Sequence, residues 1–130
     1  MSVPCEVVAK TVLPAMRAMV TKELIKAHDL KQVEVAQLLG ITQGAVSQYM
    51  RGERGVALNL ESSDVKPLVG NIALQLKKGK SSQQEIVSRF CEACKLIRGK
   101  GLMCDLHKTF DPSFDTKDCR VCFTSSGPDR

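Results

Sequence analysis

The chain has 130 residues, 43% of them apolar, so it can bury a core, but with one Tyr, four Phe and no Trp that core must be aliphatic. Its net charge of +5 suits a polyanionic partner, and the excess is central: residues 1–57 carry seven basic against five acidic side chains, 58–100 eight against four, and 101–130 four against five. No apolar run approaches the roughly 18 residues that a bilayer span needs, and MSVPCEVVAK lacks the basic start and long apolar stretch of a signal peptide, so a cytoplasmic protein with no membrane partner is expected.

Pro4 suits the first turn of a helix, and Val8, Val12, Ala15 and Met19 continue an apolar series that Pro14 must break or kink, which predicts a second helix from about Pro14 to Ala27. Cys5, beside Val7 and Val8, is expected in the core as a small hydrophobe. Residues 32–51, QVEVAQLLGITQGAVSQYMR, then carry the clearest pattern in the chain. Val33, Ala36 and Leu39, and after them Val46, Tyr49 and Met50, recur at three- and four-residue spacing, predicting two short helices that each bury one face.

Gly40 stands where the first of these helices must stop in a left-handed turn, Ile41 fills the corner, and Thr42 offers its hydroxyl as the cap of the second. Ala36 lacks bulk where the helices cross. Facing outward are Gln43, Gly44, Ser47 and Gln48, a small polar surface suited to base edges in a major groove, where Gln can bond adenine bidentately. Arg51 and Arg54, in the glycine-rich turn that follows, are placed for phosphate contact. Residues 13–55 resemble a helix-turn-helix of the lambda-repressor (Cro/C1) superfamily, departing from it at Lys31, where many relatives carry Ser or Thr. The resemblance implies binding to double-stranded operator DNA, with Thr42, Gln43, Gly44, Ser47, Gln48, Arg51 and Arg54 as the DNA-binding set.

Asp64 is placed to cap a helix with Val65, Leu68, Val69, Ile72, Ala73 and Leu76 on one face, Pro67 in its first turn and Gly79 at its end. That face is a candidate dimer seam or a surface for packing within the chain. Lys77, Lys78 and Lys80 make the densest basic run, a solvated helix end or a phosphate contact. Ser82 and Glu85 have the spacing of a capping box ahead of a last helix carrying Ile86, Val87, Phe90 and Ile97.

Cys91-x-x-Cys94 and Cys119-x-x-Cys122 are separated by twenty-four residues, with Cys104 and His107 between them. Two such pairs can converge on one metal if each presents both thiolates from a tight turn, and metal would have to organise a segment so poor in apolar residues. Zinc needs four ligands, which Cys91, Cys94, Cys119 and Cys122 supply. An iron-sulfur cluster, of the 4Fe-4S kind, draws on any four of those and Cys104, and the fifth thiol favours it as a redox- or iron-sensing group, with structural zinc as the alternative. His107 is read as a supporting neighbour rather than a ligand.

The opening PCEVVAK, with VLPAMRAMVTKEL and GITQGAVSQYMRG, also resembles the N-terminal DNA-binding region of archaeal predicted transcriptional regulators, across residues 3–75. This implies dimeric operator binding without specifying a signal. The expected architecture is mainly α: a helix-turn-helix DNA-binding domain over 1–60, a helical linker or dimerisation segment over 61–98, a small cysteine-rich, metal-bound module over 91–123, and a frayed tail over 124–130. A thiol oxidoreductase is the enzymatic alternative, disfavoured because neither Cys-x-x-Cys sits in a strand-helix pattern and the chain has no phosphate-binding glycine loop. A transcriptional regulator, not an enzyme, is expected.

Overall fold

The computed structural model describes residues 3–56, 60, 64–101, 103–117 and 119–121. It is mainly helical, with no strand among the described residues. The helices are α1 (Pro4–Lys10), α2 (Val12–Lys26), α3 (Gln32–Leu39), α4 (Gln43–Arg51), α5 (Val65–Lys78), α6 (Gln83–Gly99) and α7 (Cys104–Phe110). No described helix is long and apolar enough to cross a membrane.

The first break falls earlier than the proline alone predicts. A ring at Pro14 clashes with the carbonyl four residues back, so the chain must leave helical geometry near Lys10, and Pro14 then sits harmlessly in the first turn of the next helix. Thr11 makes the joint: its hydroxyl donates to the Val7 carbonyl at 2.6 Å and its own carbonyl accepts from Ala15 at 3.1 Å. Thus α2 begins two residues before Pro14 and ends at Lys26 with Ala27 as its cap, and Asp29, two residues further on, takes a left-handed φ of 57°.

Helix α2 is the centre of the molecule. Its buried residues, Val12, Ala15, Met16, Ala18, Val20, Thr21 and Leu24, are spread around its whole circumference, and it touches every other helix from α1 to α6. One continuous core runs from Val7 through Val35, Val46 and Ile72 to Ile97 and Met103, so the helix-turn-helix and the later helices share it.

The predicted face of α5 is found with Val65, Val69, Ile72, Ala73 and Leu76 buried and Leu68 half-buried, packed against α2 and α6. It is spent within the chain and is therefore not a dimer seam. Asp64 precedes α5 without capping it, because its carboxylate turns to Lys100. Lys77 of the basic run donates to the His28 carbonyl at 3.1 Å, tying the end of α5 to the end of α2. In α6 the Ser82 hydroxyl accepts from the Glu85 amide at 3.1 Å, as the spacing predicts. Its inward stripe runs through half-buried Ile86 and Phe90 to buried Ala93 and Ile97, and Val87, expected on that face, is 53% exposed because it lies a quarter-turn away.

Beyond α6 the chain is anchored by packing. Met103 and His107 are buried, His107 stacks on Phe114 with ring centroids 3.9 Å apart, and α7 lies against α1. Cys5, predicted in the core, is exposed on the first turn of α1, whose inward face is taken by Val7 and Val8.

Gly55 and Gly52 make a discriminating pair. Both have left-handed φ, 75° and 74°, but a Cβ at Gly55 would stand 2.5 Å from the Pro14 carbonyl oxygen and 2.9 Å from Ala18 Cβ, whereas at Gly52 it would meet nothing within 4 Å. Gly52→Ala should cost about 1 kcal/mol from backbone strain alone. Gly55→Ala should cost ~2 kcal/mol or more, since it must also push the turn off α2. Equal losses in urea unfolding would show that the turn does not bear on α2.

Candidate nucleic-acid interface

Helices α3 and α4 end in the same way. At Gly40 the φ is 66°, the Ile41 amide reaches back to the Ala36 carbonyl at 3.0 Å, and the Gly40 amide meets the Gln37 carbonyl at 3.4 Å. At Gly52 the Glu53 amide reaches Gln48 at 2.9 Å and the Gly52 amide reaches Tyr49 at 3.2 Å. Both glycines thus close a Schellman motif, which satisfies otherwise orphaned carbonyls and fixes the exit direction of the chain.

Helix starts are equally determined. The Thr42 hydroxyl accepts from the Ala45 amide at 3.0 Å, as the sequence predicts. Lys31, the position lacking a Ser or Thr, keeps the other half of a capping box: Glu34 Oε1 accepts from the Lys31 amide at 3.1 Å. That acid supplies the start that a capping hydroxyl would otherwise give.

The buried face of α3 differs from the predicted one. Val35 and Ala36 are buried and Leu39 half-buried, while Val33 is 51% exposed. In a helix of only eight residues, two apolar series three or four apart are both present, and contact with α4 and α2 selects the one through Val35. In α4, Val46 and Tyr49 are buried as expected, Met50 is half-buried, and Ala45 joins Ala18 and Tyr49 in a small cluster capped by Ile41. Small residues at Ala18 and Ala45 let α4 lie close on α2.

This packing leaves the predicted DNA-binding residues on one side. Thr42, Gln43 and Gly44 are exposed at the start of α4, Ser47 and Gln48 are half-buried on its outer side, and Arg51 and Arg54 are exposed at its end. Two ties were not foreseen. Arg51 donates to the Ser47 hydroxyl at 2.7 Å and pairs with Glu53 at 2.8 Å, and the Arg54 guanidinium stands 6.0 Å from the centre of the Tyr49 ring. The Arg51-x-Glu53 spacing in the turn is the signal for the first.

The thiols fall into two sets. Cys91 and Cys94 lie in the middle of α6, one turn apart on the same side, and not in the tight turn that the Cys-x-x-Cys pattern suggests. Cys91 is exposed and Cys94 half-buried, and both line a groove against α2 and α3. Burial pushes the Cys94 thiol up, the Arg98 guanidinium one turn on pulls it back, and the nearby Cys91 and Cys5 sulfurs add to the upward push. Cys104 and Cys119 instead line a small cleft with Pro4, Arg98 and His107. Cys122 lies outside the described residues, as does the tail over 124–130. Among the described residues no three His, Cys, Asp or Glu side chains come together as a metal-binding group.

Residues 22–59 match the family model described as helix-turn-helix, of Cro/C1 type. That stretch spans the last third of α2, both motif helices and the turn through Gly55. No curated protein and no solved structure matches the chain. The match falls on the part of the molecule in which α4 is held outward.

Exposure and the upward shift of Cys94 give an order of thiol reactivity, since the thiolate is the nucleophile. With limiting iodoacetamide near neutral pH, Cys5 and Cys91 should be alkylated well before Cys94, read residue by residue by peptide mass spectrometry. Alkylation of Cys94 as fast as Cys91 would contradict its placement on the half-buried side of α6.

Proposed function

We propose that the protein is a transcriptional regulator that binds operator DNA by laying α4 in the major groove. The observation that carries this reading is the exposure of Gln43, Gly44 and Thr42 on a helix whose opposite face is locked into the core. Gln43 and Gln48 are the base readers, Thr42 and Ser47 lend hydroxyls, and Arg51 and Arg54 meet phosphates. Because one recognition helix reads only a few base pairs, two copies acting on paired half-sites are part of the proposal. The role is binding rather than catalysis.

Gly44 supports the same reading from an unexpected side. It sits in the first turn of α4, exposed, and a Cβ there would meet only the Thr42 hydroxyl oxygen at 3.8 Å. Glycine costs about 0.5–1 kcal/mol relative to alanine inside a helix, and nothing among the described residues requires it. Close approach of a nucleic-acid backbone or base edge does.

Binding to a selected duplex, followed by fluorescence anisotropy across salt concentrations, tests these roles. Gly44→Ala should keep or raise the unfolding temperature and yet weaken specific binding at least about tenfold, roughly 1.4 kcal/mol. Gln43→Ala with Gln48→Ala should relax sequence preference, about 1–3 kcal/mol per lost bidentate contact. Arg51→Ala should weaken all duplexes alike and reduce the salt slope by about one. An unchanged sequence preference in the folded double glutamine variant would remove α4 as the reader.

For the cysteines the proposal keeps an iron-sulfur cluster sensing redox state or iron, with structural zinc as its alternative. Support comes from the two Cys-x-x-Cys pairs and the fifth thiol in their spacing. A four-thiolate centre needs the α6 pair to meet the Cys104 and Cys119 set, and as arranged Arg98 stands beside both. No regulatory step is therefore derived through a cluster. Anaerobic purification with iron, sulfide and zinc quantified on one sample separates the readings: the proposal expects iron and sulfide together, while about one zinc per chain in a colourless protein makes the site structural.

A further inference from the structure

The groove in front of Cys91 and Cys94 has a composition that the DNA-binding role does not use. It is about 400 Å³ in volume, within the range of small-molecule sites of about 300–1,000 Å³. Its floor is Leu13 of α2, Leu39 of α3, Leu76 of α5, and Ile86 and Phe90 of α6. These side chains are only partly buried or at the margin of the core, so the groove presents apolar surface that the described residues leave uncovered. At its rim Leu38 and Val87 are exposed large hydrophobes.

One charge lines it. Arg17, half-buried on α2, is the single Lys, Arg, Asp or Glu among the described residues of the wall, and its guanidinium makes no ion pair or hydrogen bond with any described residue. A guanidinium held against apolar surface gains most from a planar anion that accepts both of its parallel donors. We propose that this groove is an effector site for a small organic anion with an apolar body, of the medium-chain carboxylate class, with the carboxylate on Arg17 and the chain along Leu39, Ile86 and Phe90.

The position of the groove gives the ligand a route to the DNA-binding unit. Leu38 and Leu39 are the last two residues of α3, directly before Gly40, which sets the angle at which α4 leaves. Filling the space between α3 and α6 stabilises one spacing of those helices over others. Any differential affinity for that spacing is returned as an equal change in DNA affinity. This consequence rests on the operator-binding reading; the binding of the anion does not.

Calorimetry on the full chain with decanoate, and with 1-decanol as a neutral probe of the same length, tests the site without DNA. The proposal expects one decanoate per chain, decanol at least tenfold weaker, loss of that preference in Arg17→Gln, and loss of binding in Leu38→Trp, which closes the groove from its exposed rim. Decanoate and decanol binding equally, binding indifferent to both variants, or no binding would overturn it. So would dissociation of a dimer by Val87→Asp in sedimentation, which would assign the groove to a second copy. A separate anisotropy measurement expects duplex affinity to shift at least threefold with saturating decanoate. Intact binding with no shift would overturn the coupling, and failure of the ligand-free protein to bind any duplex would count against the operator reading while leaving the calorimetry to decide the site.

Discussion

Burial of α2 on every side is the constraint to which the rest of the molecule conforms. An amphipathic helix has one face to satisfy; α2 has buried residues all around it, and five other helices are needed to cover them. The size of each residue decides which neighbour comes close. Met16, Val20 and Leu24 accept the thick contacts of the main core, while Ala18 admits α4 and its Ala45 and Tyr49. Gly55 brings the backbone of the following turn directly onto Pro14 and Ala18, where any side chain would collide. Helix α4 is therefore held at its body by alanine contacts and at its exit by a glycine contact, both on the same helix.

One consequence concerns the division of the chain. The motif between Gln32 and Arg51 has the capping and the glycines to define itself locally, but Val35 and Val46 belong to the same core as Ile72 and Ile97. Removing α5 and α6 would uncover α2, so the DNA-binding unit draws its stability from the helices that follow it. Such sharing means that a change at α6 is felt in the packing of α3 and α4 without any dedicated linkage, since close-packed interiors transmit displacement poorly absorbed elsewhere.

What the sequence discloses and what it hides divide along the same line. Gly40, Thr42 and Gly52 are legible because each answers a local backbone need that few residues meet, and the structure places all three as expected. The stripe of α5 is legible because fourteen residues give its period room to repeat. The start of α2, the choice of Val35 over Val33, and the exposure of Val87 are not, because they depend on which neighbour arrives, and α2 has no single apolar stripe to read. Cys5 failed for a related reason: neighbours in sequence are apolar, yet on a helix they point elsewhere. The cysteine spacing suggests turns, and the helix periodicity around Phe90 and Ile97 prevails at Cys91 and Cys94. The tie of Arg51 to Glu53 required the folded turn.

That tie bears on how the interface works. With both side chains more than half exposed, 60% for Arg51 and 54% for Glu53, the pair is worth only about 0–1 kcal/mol. The pair holds the guanidinium in an ordered place beside Ser47. On the proposed operator reading, a phosphate, which accepts the same parallel donors, would displace Glu53 at little cost, so the pair would oppose contact only weakly. Because α3 and α4 are each closed by a Schellman turn and share the corner at Ile41, they have little freedom to move separately. On the proposed operator reading, any control of DNA binding would act on the two helices as a unit, through the surfaces that carry them: α2 beneath α4, and the α6 side of α3.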